Sequence, residues 1–85
     1  MKEFTYTITD PEGIHARPAG QFVKACASYP CDIKIAKDGK EVNAKGILGI
    51  MSLGVKQGQE ITVKVSGDKE DEAAAELEAF LKANL

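Results

Sequence analysis

Residues 4–8, Phe-Thr-Tyr-Thr-Ile, alternate strictly between apolar and polar. That two-residue period predicts a half-buried strand with Phe4, Tyr6 and Ile8 inward. Asp10-Pro11-Glu12-Gly13 then breaks the alternation with turn-forming residues. From Ala16 the period lengthens: Ala19, Phe22, Val23 and Cys26 recur at helical spacing, with Gln21 and Lys24 on the other face. Pro18 falls in the first turn of that helix, where its missing N–H removes no helical hydrogen bond. Tyr29-Pro30 ends it, because a residue before proline is pushed out of the α region.

Residues 32–44 predict a hairpin. Asp38-Gly39 suits a two-residue type I′ turn, and pairing outward sets Lys37 opposite Lys40, Ile35 opposite Val42 and Ile33 opposite Ala44. The apolar members of those pairs then share one face, so turn and pattern agree on register. Gly46 to Gly54 is apolar nearly throughout and bracketed by glycines. Its internal glycine and methionine disfavour a strand, and its length suits a helix of about two turns. Residues 60–66 alternate again with Ile61, Val63 and Val65 inward. Asp68 to Leu85 reads as an amphipathic helix, with Asp68 as its cap and Ala73, Ala74, Leu77, Phe80 and Leu81 as its buried stripe. Acidic residues crowd its start and Lys82 sits near its end, as the helix dipole favours.

The order is β-α-β-β-α-β-α. Each strand has one wet face, which suits an antiparallel sheet. The expected fold is α+β: an open-faced sandwich of a four-stranded antiparallel sheet with three helices on one face. At 85 residues the chain is expected to form one domain, residues 1–85.

Charge narrows the function classes. With 11 basic against 13 acidic residues, the net charge is −2. Nucleic-acid binding is therefore not expected, and no aromatic platform is left over, since Phe4, Tyr6 and Phe80 all fall on core faces. No apolar run reaches the roughly 18 residues of a membrane span, and the alternating N-terminus is no signal peptide, so a cytoplasmic protein is expected. Cys26 and Cys31 are not spaced as CxxC, and only one histidine is present. Two free thiols are the reading, with no metal site and no cofactor.

That one histidine lies in Gly13-Ile14-His15-Ala16-Arg17-Pro18-Ala19, where loop becomes helix. A helix N-terminus offers unpaired N–H groups and a partial positive charge, a ready site for phosphate, and the N–H groups of Ala16 and Arg17 are placed to hold it. Arg17 adds a permanent cation with a fork of donors. The same positive end disfavours a second charge on the ring and leaves a ring nitrogen free to attack at neutral pH. Asp10 and Glu12 are taken here as turn residues only, so no catalytic carboxylate or serine is expected beside His15. No glycine-rich nucleotide loop is present. The chain is too short for a deep substrate pocket, so a partner protein is needed to complete an active site.

With Gly13-Ile14-His15-Ala16-Arg17-Pro18-Ala19, the Val42-Asn43-Ala44-Lys45 strand end and Gly49-Ile50-Met51-Ser52-Leu53-Gly54, the chain resembles the HPr family, the histidine-containing phosphocarriers of the bacterial sugar phosphotransferase system. The resemblance spans essentially the whole chain. It implies that His15, with Arg17 beside it, accepts phosphate at Nδ1 from phosphorylated enzyme I and passes it to the A domains of sugar-specific enzymes II. On this reading the chain is a phosphoryl-transfer intermediate, grouped with transferases but with no turnover of its own, and a monomer.

The resemblance also implies a partner-binding surface formed by Ala16, Gly20, Gln21, Lys24, Ile47, Leu48 and Met51. The residues agree, since a two-turn helix cannot bury Ile47, Leu48, Ile50, Met51 and Leu53 on one side, and an exposed apolar patch marks a binding site. A regulatory relative that signals through His15 without feeding sugar uptake is the alternative. The chain departs from the family at one point. In HPr proteins of low-GC Gram-positive bacteria, which it otherwise resembles, position 46 is a serine phosphorylated by a dedicated kinase. Here it is Gly46, and Ser52 does not match that motif as a substitute.

Overall fold

A computed structural model describes all 85 residues. The elements run β1 (Lys2–Thr7), α1 (Ala16–Ala27), β2 (Asp32–Lys37), β3 (Lys40–Asn43), α2 (Ile47–Ser52), β4 (Glu60–Ser66) and α3 (Glu70–Asn84). The β2–β3 hairpin shows why local chemistry suffices for part of this. Asp38 and Gly39 take φ of 51° and 83°, the positive pair a type I′ turn demands. Lys37 then faces Lys40 and Ile35 faces Val42, as predicted, and the Ala44 N–H donates to the Ile33 carbonyl.

The sheet is a single four-stranded, wholly antiparallel layer in the order β1-β4-β2-β3. Alternation along the two central strands buries Ile33, Ile35, Ile61, Val63 and Val65 on one face. Phe4 and Tyr6 on the edge strand are half-buried on that same core. The helices cover this face. Ala19, Phe22 and Cys26 of α1 and Ala73, Leu77 and Leu81 of α3 are buried, and the Phe22 and Phe80 rings meet at 5.8 Å with a 42° tilt. The open face stays polar, with the Lys64 ammonium 2.9 Å from the Glu41 carboxylate.

Two details of the helices differ from expectation. α3 does not start at an Asp68 cap. Gly67, at φ 125°, turns the chain sharply after β4, and Lys69 at φ 62° is the capping residue, without a side-chain bond. Glu70, the first residue of the helix, folds its carboxylate back onto the preceding chain: it pairs with the N-terminal ammonium at 2.7 Å and accepts the Gly67 N–H at 3.2 Å. These two donors hold its carboxyl below the ordinary range. In α3, Ala74 and Phe80 flank the buried stripe half-exposed. In α2, Ile50 is buried with Leu53 just beyond it, but Leu48 is 83% exposed and Ile47 and Met51 are each 38% exposed.

The loop entering α1 is fixed by a close backbone approach. Gly13 has φ 68°, and a Cβ there would lie 2.3 Å from the Val55 carbonyl oxygen and 2.7 Å from Lys56 Cα. Neither atom can move without shifting main chain. Gly13→Ala is therefore expected to destabilise the fold by about 2 kcal/mol or more, read as a lowered urea midpoint with an unchanged slope. Both cysteines are free and buried. Burial pushes the Cys26 thiol up to about 12, so little thiolate exists at neutral pH. Alkylation of Cys26 at pH 8 is expected to be at least about a hundredfold slower in the native protein than in denaturant, as mass spectrometry would show.

Candidate functional site

The loop from Ile8 to His15 is bound to the rest of the molecule on both sides. On one side the Thr9 and Asp10 N–H groups and the Thr9 hydroxyl all donate to the Leu85 main-chain oxygen, the hydroxyl at 2.8 Å. On the other, Ile14 N–H donates to the Val55 oxygen at 3.1 Å, directly beside the Gly13 contact. Within the loop, Asp10 Oδ1 accepts the Glu12 N–H at 2.9 Å, and the Asp10 carbonyl accepts the Gly13 N–H. This is the side-chain turn expected of an Asp-Pro-x-Gly run.

His15 emerges as the N-cap of α1, at φ −111° and ψ 173°, with no bond from its side chain to the helix. Its backbone carbonyl accepts the first helical hydrogen bond, from Ala19 at 3.0 Å. No protein group accepts the N–H of Ala16 or Arg17, and Pro18 has none to offer. The ring thus stands beside two free donors at the positive end of a twelve-residue helix. Arg17 is exposed and makes no ion pair with any carboxylate of the chain. Its guanidinium is available to an incoming anion.

The imidazole's other neighbours correct the sequence reading. His15 Nε2 lies 3.3 Å from Asp10 Oδ2 and 3.5 Å from Glu12 Oε2. So two carboxylates do stand beside His15, three and five residues back along the chain. The signal was present in Asp10-Pro11-Glu12-Gly13, but a turn read only as a strand breaker conceals that it folds its side chains back onto the start of α1. The Glu12 N–H is the main cause that holds the Asp10 carboxyl below the ordinary carboxylate range; burial pushes the other way, and the imidazole adds a further downward pull.

Asp10, His15, Arg17, Pro18, Gln21 and Asn84 line a shallow recess of about 310 Å³. Asn84 had no signal in the sequence: it reaches the site from the last turn of α3. Of the remaining residues expected at the surface, Ala16, Gln21 and Lys24 are exposed and Gly20 is half-buried. A Cβ on Gly20 would lie 3.7 Å from Ile47 Cδ1, so α1 and α2 meet here. The exposed side chains of Ile47, Leu48 and Met51 continue from that seam.

Comparison with known proteins shows the family. Residues 2–83 match the PTS-HPr family, described as the PTS HPr component phosphorylation site. The phosphocarrier protein HPr of Mycoplasma genitalium is 41% identical over 85 residues, covering 99% of this chain and 97% of that one. HPr of Lysinibacillus sphaericus is 42% identical over 81 residues, covering 95% and 92%. Among solved structures, HPr-C-His from Thermoanaerobacter tengcongensis superposes with a TM-score of 0.93 at 44% identity, covering 98% of this chain and 93% of that one. Crh, the Bacillus subtilis catabolite repression HPr, is similar in solution at 37% identity and a TM-score of 0.71, covering 99% and 100%. With nearly every residue matched and the histidine loop in the family's fold, the chain belongs to the HPr family of phosphocarriers.

Proposed function

We propose that the chain is a cytoplasmic, monomeric carrier, acting as one domain, that takes a phosphoryl group from phosphorylated enzyme I onto His15 and delivers it to the A domains of sugar-specific enzymes II. The observation that carries this reading is the orientation of the ring. Nε2 faces the Asp10 and Glu12 carboxylates. In the neutral imidazole one nitrogen bears the proton and the other a lone pair. The carboxylates draw the proton to Nε2, which leaves Nδ1 as the nucleophile.

Nδ1 attacks the phosphorus carried by the phosphorylated donor; the new N–P bond forms as the bond from phosphorus to the donor side chain breaks, and that side chain leaves with the electron pair. The transferring group is anionic throughout, and stabilising it is largely a matter of placed positive charge. The free N–H groups of Ala16 and Arg17 and the Arg17 guanidinium supply that charge. Asp10 and Glu12 repel the same group, so the adduct is held without becoming a sink. Onward transfer repeats the exchange with an acceptor side chain on the A domain.

Docking uses the seam of α1 and α2: Ala16, Gly20, Gln21 and Lys24 beside Ile47, Leu48 and Met51. This patch sets an apolar centre next to a polar rim, the usual anatomy of a protein interface. Methionine's flexibility suits a surface that meets more than one partner.

Mixing the protein with enzyme I and labelled phosphoenolpyruvate is expected to place acid-labile label on the chain, absent in His15→Ala, and to move it on to an enzyme II A domain. Label that reaches His15 but no A domain would favour the regulatory alternative, and label that never reaches His15 would end the carrier reading. Arg17→Gln is expected to slow transfer from enzyme I by about tenfold or more, as loss of one preorganised charge contact does. At α2, Gly46 caps the helix without a side-chain bond, and the Ser52 hydroxyl is engaged with the Gly49 carbonyl at 2.6 Å. Incubation with ATP and the serine kinase that modifies related HPr proteins is expected to leave no phosphoserine detectable by mass spectrometry.

A further inference from the structure

The Asp10-Pro11-Glu12-Gly13 turn aims two carboxylates at one ring nitrogen. The donor atoms of Asp10, Glu12 and His15 all lie within 4.8 Å of one another, with Nε2 at 3.3 Å from one carboxylate and 3.5 Å from the other. A neutral ring has a single proton to offer there, and one N–H cannot satisfy two anionic acceptors with good geometry. A metal ion can. Zinc binds imidazole nitrogen and carboxylate oxygen at about 2.0–2.1 Å, and two such ligands on a tetrahedral centre stand roughly 3.3–3.4 Å apart. The two separations from Nε2 are close to that length, and the two carboxylates stand within 4.8 Å of each other, near enough for a small side-chain movement to close the set.

The ligand set also selects the ion. One imidazole with two carboxylates suits first-row divalent ions, whereas magnesium and calcium prefer oxygen alone. Two carboxylates and a neutral ring balance the charge of such an ion. The side chains of His15, Asp10 and Glu12 are 34%, 22% and 74% exposed, so an entry path is open. Asp10 is pre-set: its Oδ1 is occupied by the Glu12 N–H, and Oδ2 is the oxygen turned to the ring. Arg17 and the start of α1 are the opposing charges and limit the affinity. The expectation of no metal site weighed cysteine spacing and a lone histidine, and left carboxylates out.

We propose that Asp10, Glu12 and His15 Nε2 form a three-ligand site for a divalent first-row transition-metal ion such as Zn²⁺, with water completing its coordination. Occupation changes the tautomer. When Nε2 gives its lone pair to the metal, the ring's one proton resides on Nδ1, and the nitrogen that would attack phosphorus has no lone pair to attack with. The bound ion is thus a brake on phosphoryl acceptance. The brake rests on the carrier reading; the binding site does not.

Titrating the ¹⁵N-labelled full chain with ZnCl₂, with no phosphoryl donor present, separates the two. The expected result is saturable binding of one ion per chain, with His15 Nε2 metal-bound and the proton on Nδ1. Glu12→Gln and Asp10→Asn are each expected to weaken binding about tenfold or more, and His15→Ala to abolish it. No saturable change at Nε2 up to about 1 mM Zn²⁺, or binding undiminished in Glu12→Gln, would overturn the site. With enzyme I and labelled donor added, saturating Zn²⁺ is expected to slow phosphorylation at least tenfold more in the unaltered chain than in Glu12→Gln. Equal slowing of both would overturn the brake while leaving both the carrier reading and the metal site standing.

Discussion

One steric fact governs the functional end of this molecule: the main chain at Gly13 lies against the main chain at Val55 and Lys56 with no room for a side chain between them. Backbone cannot yield as a side-chain tip can, so the two segments hold a fixed separation. The Ile14 N–H bond to Val55 is a product of that approach, and His15 comes next in the chain. The histidine is therefore positioned by the connection between α2 and β4, some 40 residues away in sequence, and not by its own helix alone. The bonds from Thr9 and Asp10 to Leu85 give the loop its second fixed end.

On this frame the site sets two opposed fields against each other. The start of α1, its free N–H groups and Arg17 favour an anion beside the ring. Asp10 and Glu12, at the ring's Nε2, disfavour one. The carrier role proposed for His15 gains from such opposition, because strong binding alone would lower the adduct in energy and raise the barrier to leaving. For the proposed carrier, the carboxylates at Nε2 also bear on which ring nitrogen keeps the proton. Removing either half changes more than affinity.

How much of this was readable beforehand depended on the range of the interactions. The β2–β3 hairpin was legible to the residue, since alternation and an Asp-Gly turn are both local signals that agree. The β4 strand and the α1 helix were legible for the same reason. The start of α3 was not: Asp68 looks like a cap by composition, but the positive φ values at Gly67 and Lys69 move the helix start on to Glu70. His15 and Arg17 stood out because a helix start and a proline frame them. Asp10 and Glu12 did not, because a turn announces where the chain bends and not where its side chains land. Asn84 arrives only through tertiary packing. The exposed side of α2 was foreshadowed by a surplus of apolar residues, though which of them face outward is decided by the fit of Ile50 and Leu53 into the core.

The bonds to Leu85 bear on how the protein is handled at the bench. Its main-chain oxygen is shared by three donors of the histidine loop, and Asn84 beside it lines the recess. A tag, dye or fusion placed after Leu85 would begin at the rim of the recess that His15 lines and would project over it. The start of β1 lies at the far end of that strand, roughly 20 Å away at 3.3 Å per residue, against Glu70 and Asp71. An appendage there would remove the ammonium that pairs with Glu70 but leave the histidine loop alone, which makes that end of β1 the better anchor for immobilising the molecule.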